Sequence, residues 1–183
     1  MTIAIAARFP PIPPKPTTHM TSLLKKILLL TLLLLLPCTA PAAQLGQPLI
    51  PFKGTDLNGH PYDLQASIGT KPVFLIFWAS WCPSCKTEVP KVNQLAEKYR
   101  SRGMEFVAVN AGVNDTLERA QAFARQTGMT YPAYFDGSGT LVEKYKLQGV
   151  PTVIIADKHG VIRFRNFAVP DVTEANFTQL MAD

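Results

Sequence analysis

Cys82 and Cys85 lie in the stretch FWASWCPSCK, residues 77–86, and are two of the three cysteines in this 183-residue chain. Two thiols three positions apart can cycle between dithiol and disulfide, supply half of a metal site, or form a fixed staple. A staple closing so short a loop contributes little, because the gain grows with the loop closed. A zinc site needs three or four ligands. Beyond residue 42 the chain offers only His60 and His159 as further soft ligands, and no second CxxC. Redox exchange needs one reachable thiolate and a second thiol near enough to release what the first captures. The spacing suits that chemistry best.

The elements around the pair sharpen this reading. Val73–Trp78, VFLIFW, is a continuous apolar run and reads as a strand buried on both faces. A helix should begin at about Pro83, where a missing N–H costs nothing. It continues through Val89, Val92, Leu95, Ala96 and Tyr99 and should end near Gly103. Cys82 then stands at the helix N-terminus, where unpaired N–H groups and the helix dipole favour a thiolate. Cys85, one turn further in, should be the more sheltered of the two.

EFVAVN, residues 105–110, reads as a second buried strand. Asp115-Thr116-Leu117-Glu118 has the form of a capping box, opening a helix that stops at Gly128. Residues 152–156 and 161–167 read as a third and a fourth strand joined by a turn. A last helix follows the cap at Asp171-Val172-Thr173-Glu174 and carries Phe177, Leu180 and Met181. Before all of these, Asn58-Gly59 is a hairpin turn signal, with short extended pieces at 49–54 and 61–64. The order is a hairpin, then β-α-β-α-β-β-α. That is an α/β domain over residues 43–183, a central mixed sheet flanked by helices with an N-terminal β-hairpin.

The front of the chain is different. Residues 1–19 hold five prolines in FPPIPPKP and read as an extension, or as a misassigned start with Met20 as the first residue. Residues 20–42 have a Lys25-Lys26 start, an apolar run from Ile27 to Leu36 broken only by Thr31, and Ala40-Pro41-Ala42. As a helix that run spans only ~15 Å of a ~30 Å hydrocarbon core. This is the layout of a signal peptide cut after Ala42, with a retained anchor as the alternative. Lipidation of Cys38 is a further route to the membrane, although Pro37 stands where a small residue is wanted. Export implies an oxidising compartment. Four of the eighteen Lys and Arg residues lie in 1–42 and none of the thirteen Asp and Glu, so the remainder carries fourteen against thirteen. The formal charge of +5 is therefore no argument for nucleic acid.

Trp81-Cys82-Pro83-Ser84-Cys85 after an apolar strand, Pro90 within the following helix, and Gly149-Val150-Pro151-Thr152 before the third strand together resemble a thioredoxin-like active site. The likeness runs from about Gly46 to the C-terminus. DLNGHPYDL, FWASWCPSCKTEVP and DGSGTLVEKYKLQGVPTVIIADKHGVI narrow it to the TlpA/ResA/CcmG type of exported thiol-disulfide oxidoreductase. Only 65 residues separate Cys85 from Pro151, too few for the helical insert of DsbA-type oxidases.

The resemblance implies a redox-active disulfide between Cys82 and Cys85 and a reductase of exported client proteins, for example in cytochrome c maturation. A membrane thiol donor of the DsbD/CcdA type would recharge it, in a periplasmic or membrane-tethered setting, with no cofactor. It also implies that Val150, Pro151 and Thr152 bind substrate through a cis-proline loop. The Val150 backbone would pair with an extended client, with Trp81 and Pro83 beside it. Cytoplasmic thioredoxin has a buried Asp where this chain has Ile76. Glu88 takes the place of a glutamate found in ResA-type proteins. It can shuttle the proton of the Cys85 thiol, or simply be solvated or paired with Lys91. A disulfide oxidase or isomerase, and a copper- or client-binding module, are the competing functions on this fold.

Overall fold

The computed structural model of the chain describes residues 44–182. The leader, its cleavage site and Cys38 lie outside the described residues.

The hairpin pairs β1 (Lys53–Thr55) antiparallel with β2 (Pro61–Asp63). Its turn is fixed by Asp56, whose Oδ1 accepts the N–H groups of Asn58 and His60, each at 2.8 Å. The main sheet has five strands: β3 (Val73–Trp78), β4 (Glu105–Asn110), β5 (Ala133–Phe135), β6 (Thr152–Ala156) and β7 (Ile162–Asn166). Their spatial order is β5-β4-β3-β6-β7. β3 runs parallel to β4 and β4 to β5, whereas β6 is antiparallel to both β3 and β7.

Side-chain alternation divides each central strand between two cores. Phe74, Ile76 and Trp78, with Phe106 and Ala108, face one layer. That layer consists of α1 (Pro83–Tyr99), α2 (Leu117–Thr127) and α4 (Glu174–Met181), contributing Val89, Val92, Ala96, Phe123 and Phe177. Val73, Leu75 and Phe77 face the other layer, with Leu141 and Tyr145 from α3 (Thr140–Lys144) and the turn after it. Every residue of β3 is buried, and each large apolar side chain there adds about 1.5–3 kcal/mol of burial. The strand that delivers the cysteines is thus firmly held at the centre of the sheet.

Two elements exceed the expected order. β5 and α3 occupy residues the sequence pattern leaves as connection, and they raise the sheet from four strands to five. The helix ends follow the sequence signals. α1 gives way to one 3-10 turn and closes at Gly103, φ 99°; α2 closes at Gly128, φ 66°. The cap of α2 is Thr116, whose hydroxyl accepts the Arg119 N–H. Asp115 is engaged elsewhere. α4 is opened by Thr173 and Asn176, which bond reciprocally. Among the described residues no helix is long and apolar enough to cross a membrane.

Candidate active site

β3 runs out at Trp78 and the chain turns through Ala79, Ser80 and Trp81 into α1. Cys82 is the N-cap of α1, with extended backbone at φ −89° and ψ 108°, and Pro83 occupies the first turn. Its sulfur accepts the Cys85 N–H at 3.1 Å. An amide that would otherwise be orphaned at the helix start is therefore aimed at the sulfur. Cys82 and Cys85 are joined in a disulfide.

Val150-Pro151 is a cis peptide and Tyr131-Pro132 is not. The Val150 carbonyl oxygen lies 3.6 Å from Cys82 Sγ, and Ser84 Oγ lies 3.5 Å from the same sulfur. Thr152 Oγ1 donates to the Gly149 carbonyl at 2.6 Å and closes the loop on itself. The structure thus brings together Cys82, Cys85, Ser84 and Val150, with Pro151 and Thr152 directly behind. Trp81 stands beside them, 46 % exposed. Its indole N–H donates to the Val113 carbonyl at 2.7 Å, and Val113 is itself an exposed apolar residue.

One expectation is corrected. Cys82 was expected to be open and Cys85 sheltered. In the disulfide both are covered, at 4 % and 2 % exposure. Each sulfur shields the other, and Val150 and Ser84 flank the outer one. The outer position is still the rim of the site, because Trp81, Pro83 and Ser84 around Cys82 are all exposed.

Glu88 is buried at 8 % exposure on the same helix. Its Oε1 accepts from Lys91 Nζ at 3.0 Å and its Oε2 accepts from the Val169 N–H at 3.3 Å. The solvated alternative is thereby removed, and the pairing with Lys91 is present. Ile76 is buried beneath this region in the same core cluster as both cysteines.

Sequence reasoning missed the clamp that fixes the loop before Cys82. Asp115 accepts from Ser80 N at 2.7 Å, Ser80 Oγ at 2.6 Å, Asn110 Nδ2 at 2.8 Å and Thr116 N at 3.0 Å. Its side chain is fully buried. Burial alone would push this carboxyl up, but the bonds from Ser80, Asn110 and Thr116 outweigh it and hold it below the usual carboxylate range. Ser80 is thus structural. The signal for Asp115 was present, but the helix-cap pattern at 115–118 masked it. Among the described residues no group of three or more His, Cys, Asp or Glu side chains is placed to hold a metal ion.

The family model described as Redoxin matches residues 39–181. The chain belongs to the Redoxin family. Within that family it is similar to thiol-disulfide oxidoreductase ResA of Geobacillus kaustophilus, at 34 % identity over 122 residues, 67 % of this chain and 68 % of the relative. ResA of Bacillus anthracis is 34 % identical over 65 % of this chain and 67 % of its own length. Among solved structures, a putative thiol:disulfide interchange protein DsbE from Chlorobium tepidum superposes with a TM-score of 0.64 at 28 % identity, covering 76 % of this chain and 96 % of that one. This Redoxin-family chain is a thioredoxin-like thiol-disulfide oxidoreductase of the TlpA/ResA type, and its substrates carry disulfides.

Proposed function

We propose that the chain reduces disulfides of exported client proteins, with Cys82 as the attacking sulfur and Cys85 as the resolving one. The observation that carries this is the position of Cys82. It caps α1, receives the Cys85 N–H and lies 3.6 Å from the Val150 carbonyl oxygen. A thiolate there is stabilised by the helix start, while the Val150 backbone offers an extended client a hydrogen-bonding edge.

In the reduced protein the Cys82 thiolate attacks one sulfur of the client disulfide. A Cys82–client bond forms, the client S–S bond breaks, and the leaving thiolate takes up a proton. The Cys85 thiol then gives up its proton and attacks Cys82 Sγ. This regenerates the Cys82–Cys85 disulfide and frees the second client thiol, so two electrons pass to the client. Glu88 is proposed to take the Cys85 proton in that second step. Its burial and its place on the helix that carries Cys85 support this. A dithiol donor at the membrane, of the DsbD/CcdA type, would reverse the sequence and recharge the protein.

Domain organisation fits the same proposal: residues 20–42 export or tether the chain, and 43–183 form the redox domain in the periplasm or its equivalent. The apolar run from Ile27 to Leu36 and the small residues around Ala42 support it. Similarity to proteins named thiol-disulfide oxidoreductase ResA and thiol:disulfide interchange protein DsbE supports disulfide exchange with client proteins, of which apocytochromes are one proposed candidate.

The test is a trap. With Cys85→Ser, expressed in the native host, client proteins should accumulate in disulfide linkage to Cys82 and be released by dithiothreitol. A trap that fills equally well in Cys82→Ser would overturn the assignment. A reduction potential at or above about −120 mV would favour an oxidase instead.

A further inference from the structure

Beside the cis-proline loop lies an open cleft of about 460 Å³. Thr152, which belongs to the substrate loop, forms one wall, and Lys146, Gln148, Arg165 and Phe167 form others. The cleft thus adjoins the cis-proline loop through Thr152. Phe167 is 56 % exposed, and its ring edge comes within 3.8 Å of where a Gly149 Cβ would stand. Gly149 immediately precedes Val150-Pro151, so the ring packs beside the cis-proline loop. Arg165 Nη2 donates to the carbonyls of Tyr145 at 2.9 Å and Lys146 at 3.2 Å. Those bonds fix the guanidinium at the cleft and pin the turn that presents the exposed Lys146. The lining holds these two cations and no carboxylate, although beyond residue 42 the chain is nearly balanced in charge.

We infer that this cleft is the client-docking surface, and that it selects an extended client segment bearing acidic residues next to its reactive cysteine. The inference rests on the disulfide reductase reading above. An extended segment bonded to the Val150 backbone would pass over Thr152, lay an apolar side chain against Phe167 and place its carboxylates by Lys146 and Arg165. Two cations in a concave wall, the Arg165 guanidinium held in place and the Lys146 ammonium beside it, raise both the encounter rate and the selectivity for such a segment. The chemistry at the sulfurs is unchanged; the cleft decides which disulfide reaches them.

The test compares two synthetic peptides, each with one cysteine in mixed disulfide with 2-mercaptoethanol. One carries three Glu on either side of the cysteine and the other three Lys. The reduced full chain should act on the Glu peptide about tenfold faster at low ionic strength. In Lys146→Glu that ratio should fall to about one or below. Lys71→Glu, the same charge change before β3 at the far end of the sheet, should keep the wild-type ratio. Because each ratio is taken within one protein, a general loss of activity in a variant cancels. An unaltered ratio in Lys146→Glu overturns the inference, as does a ratio near one in the wild type. So does self-association of the wild type that Lys146→Glu abolishes, since the cleft would then serve a second copy. If the wild type reduces neither peptide nor 2-hydroxyethyl disulfide, it is the reductase reading that has failed.

Discussion

Replacing Asp115 by Ala should unfasten the loop that carries Trp81 and Cys82. The carboxylate accepts two bonds from Ser80, one from the Asn110 amide and one from the Thr116 N–H, all between 2.6 and 3.0 Å. Deleting it strands the part-buried Ser80 and Asn110 N–H donors, whereas the exposed Thr116 N–H can turn to water. A buried donor left unpaired costs about 1–3 kcal/mol. The Ser80 hydroxyl can turn to another acceptor, and partial hydration of the gap recovers some of the rest. The expected loss is therefore about 2–4 kcal/mol, from two part-buried donors left without an acceptor. Asp115→Asn keeps one acceptor oxygen and the volume, so it should lose about 1–3 kcal/mol. Urea unfolding followed by circular dichroism reads both, with an unchanged m value as the check that only stability has moved. Alkylation of reduced Cys82 should slow in both variants, because Ser80 holds the backbone two residues away. An Ala variant within about 1 kcal/mol of wild type would refute the clamp, since the bonds would then contribute no more than surface contacts.

Tyr145→Phe should cost about 1–3 kcal/mol by urea unfolding, because the buried hydroxyl both donates to the Ile50 carbonyl at 2.8 Å and accepts the Ile50 N–H at 3.1 Å. Acid should destabilise the protein. Hydrogen bonding holds the Asp115 and Asp157 carboxyls below their ordinary range against the opposing push of burial, with Val161 and Arg163 acting on Asp157. Groups with depressed folded values contribute stability above the unfolded value of about 4, and lose it as pH falls through the folded value. Melting temperature should thus decline below about pH 4 and stay flat from there to neutrality as far as these two groups are concerned. Glu88→Gln should leave the fold intact and slow thiol-disulfide exchange, with a changed pH–rate profile; an unaltered profile would remove Glu88 from the proton path.

The reach of the sequence can be seen residue by residue. VFLIFW and EFVAVN were legible as strands because both faces of each are buried, which makes the apolar run continuous. Cys82 at a helix start followed from Pro83 and from the strand before it. β5 was hidden because three residues, Ala133–Phe135, are too few to show a period. α3 was hidden for a similar reason: it has five residues, with only Leu141 buried. Asp115 was misread because the same letters, an acid and a threonine before a leucine, serve equally as a cap or as an anchor. Which one they form depends on Ser80, thirty-five positions earlier. The cleft beside Thr152 could not be read at all, since Lys146, Arg165 and Phe167 meet only once β7 and the turn after α3 are in place.

Reactivity of the two thiols in the reduced protein reaches the heart of the account. Each cysteine can be followed by mass spectrometry during iodoacetamide alkylation across pH 4–10. Cys82 should be modified first, with a midpoint below the ~8.5 of a free thiol, while Cys85 resists. Equal or faster modification of Cys85, or a Cys82 midpoint at or above that of a free thiol, would contradict the claim that the start of α1 makes Cys82 the attacking sulfur.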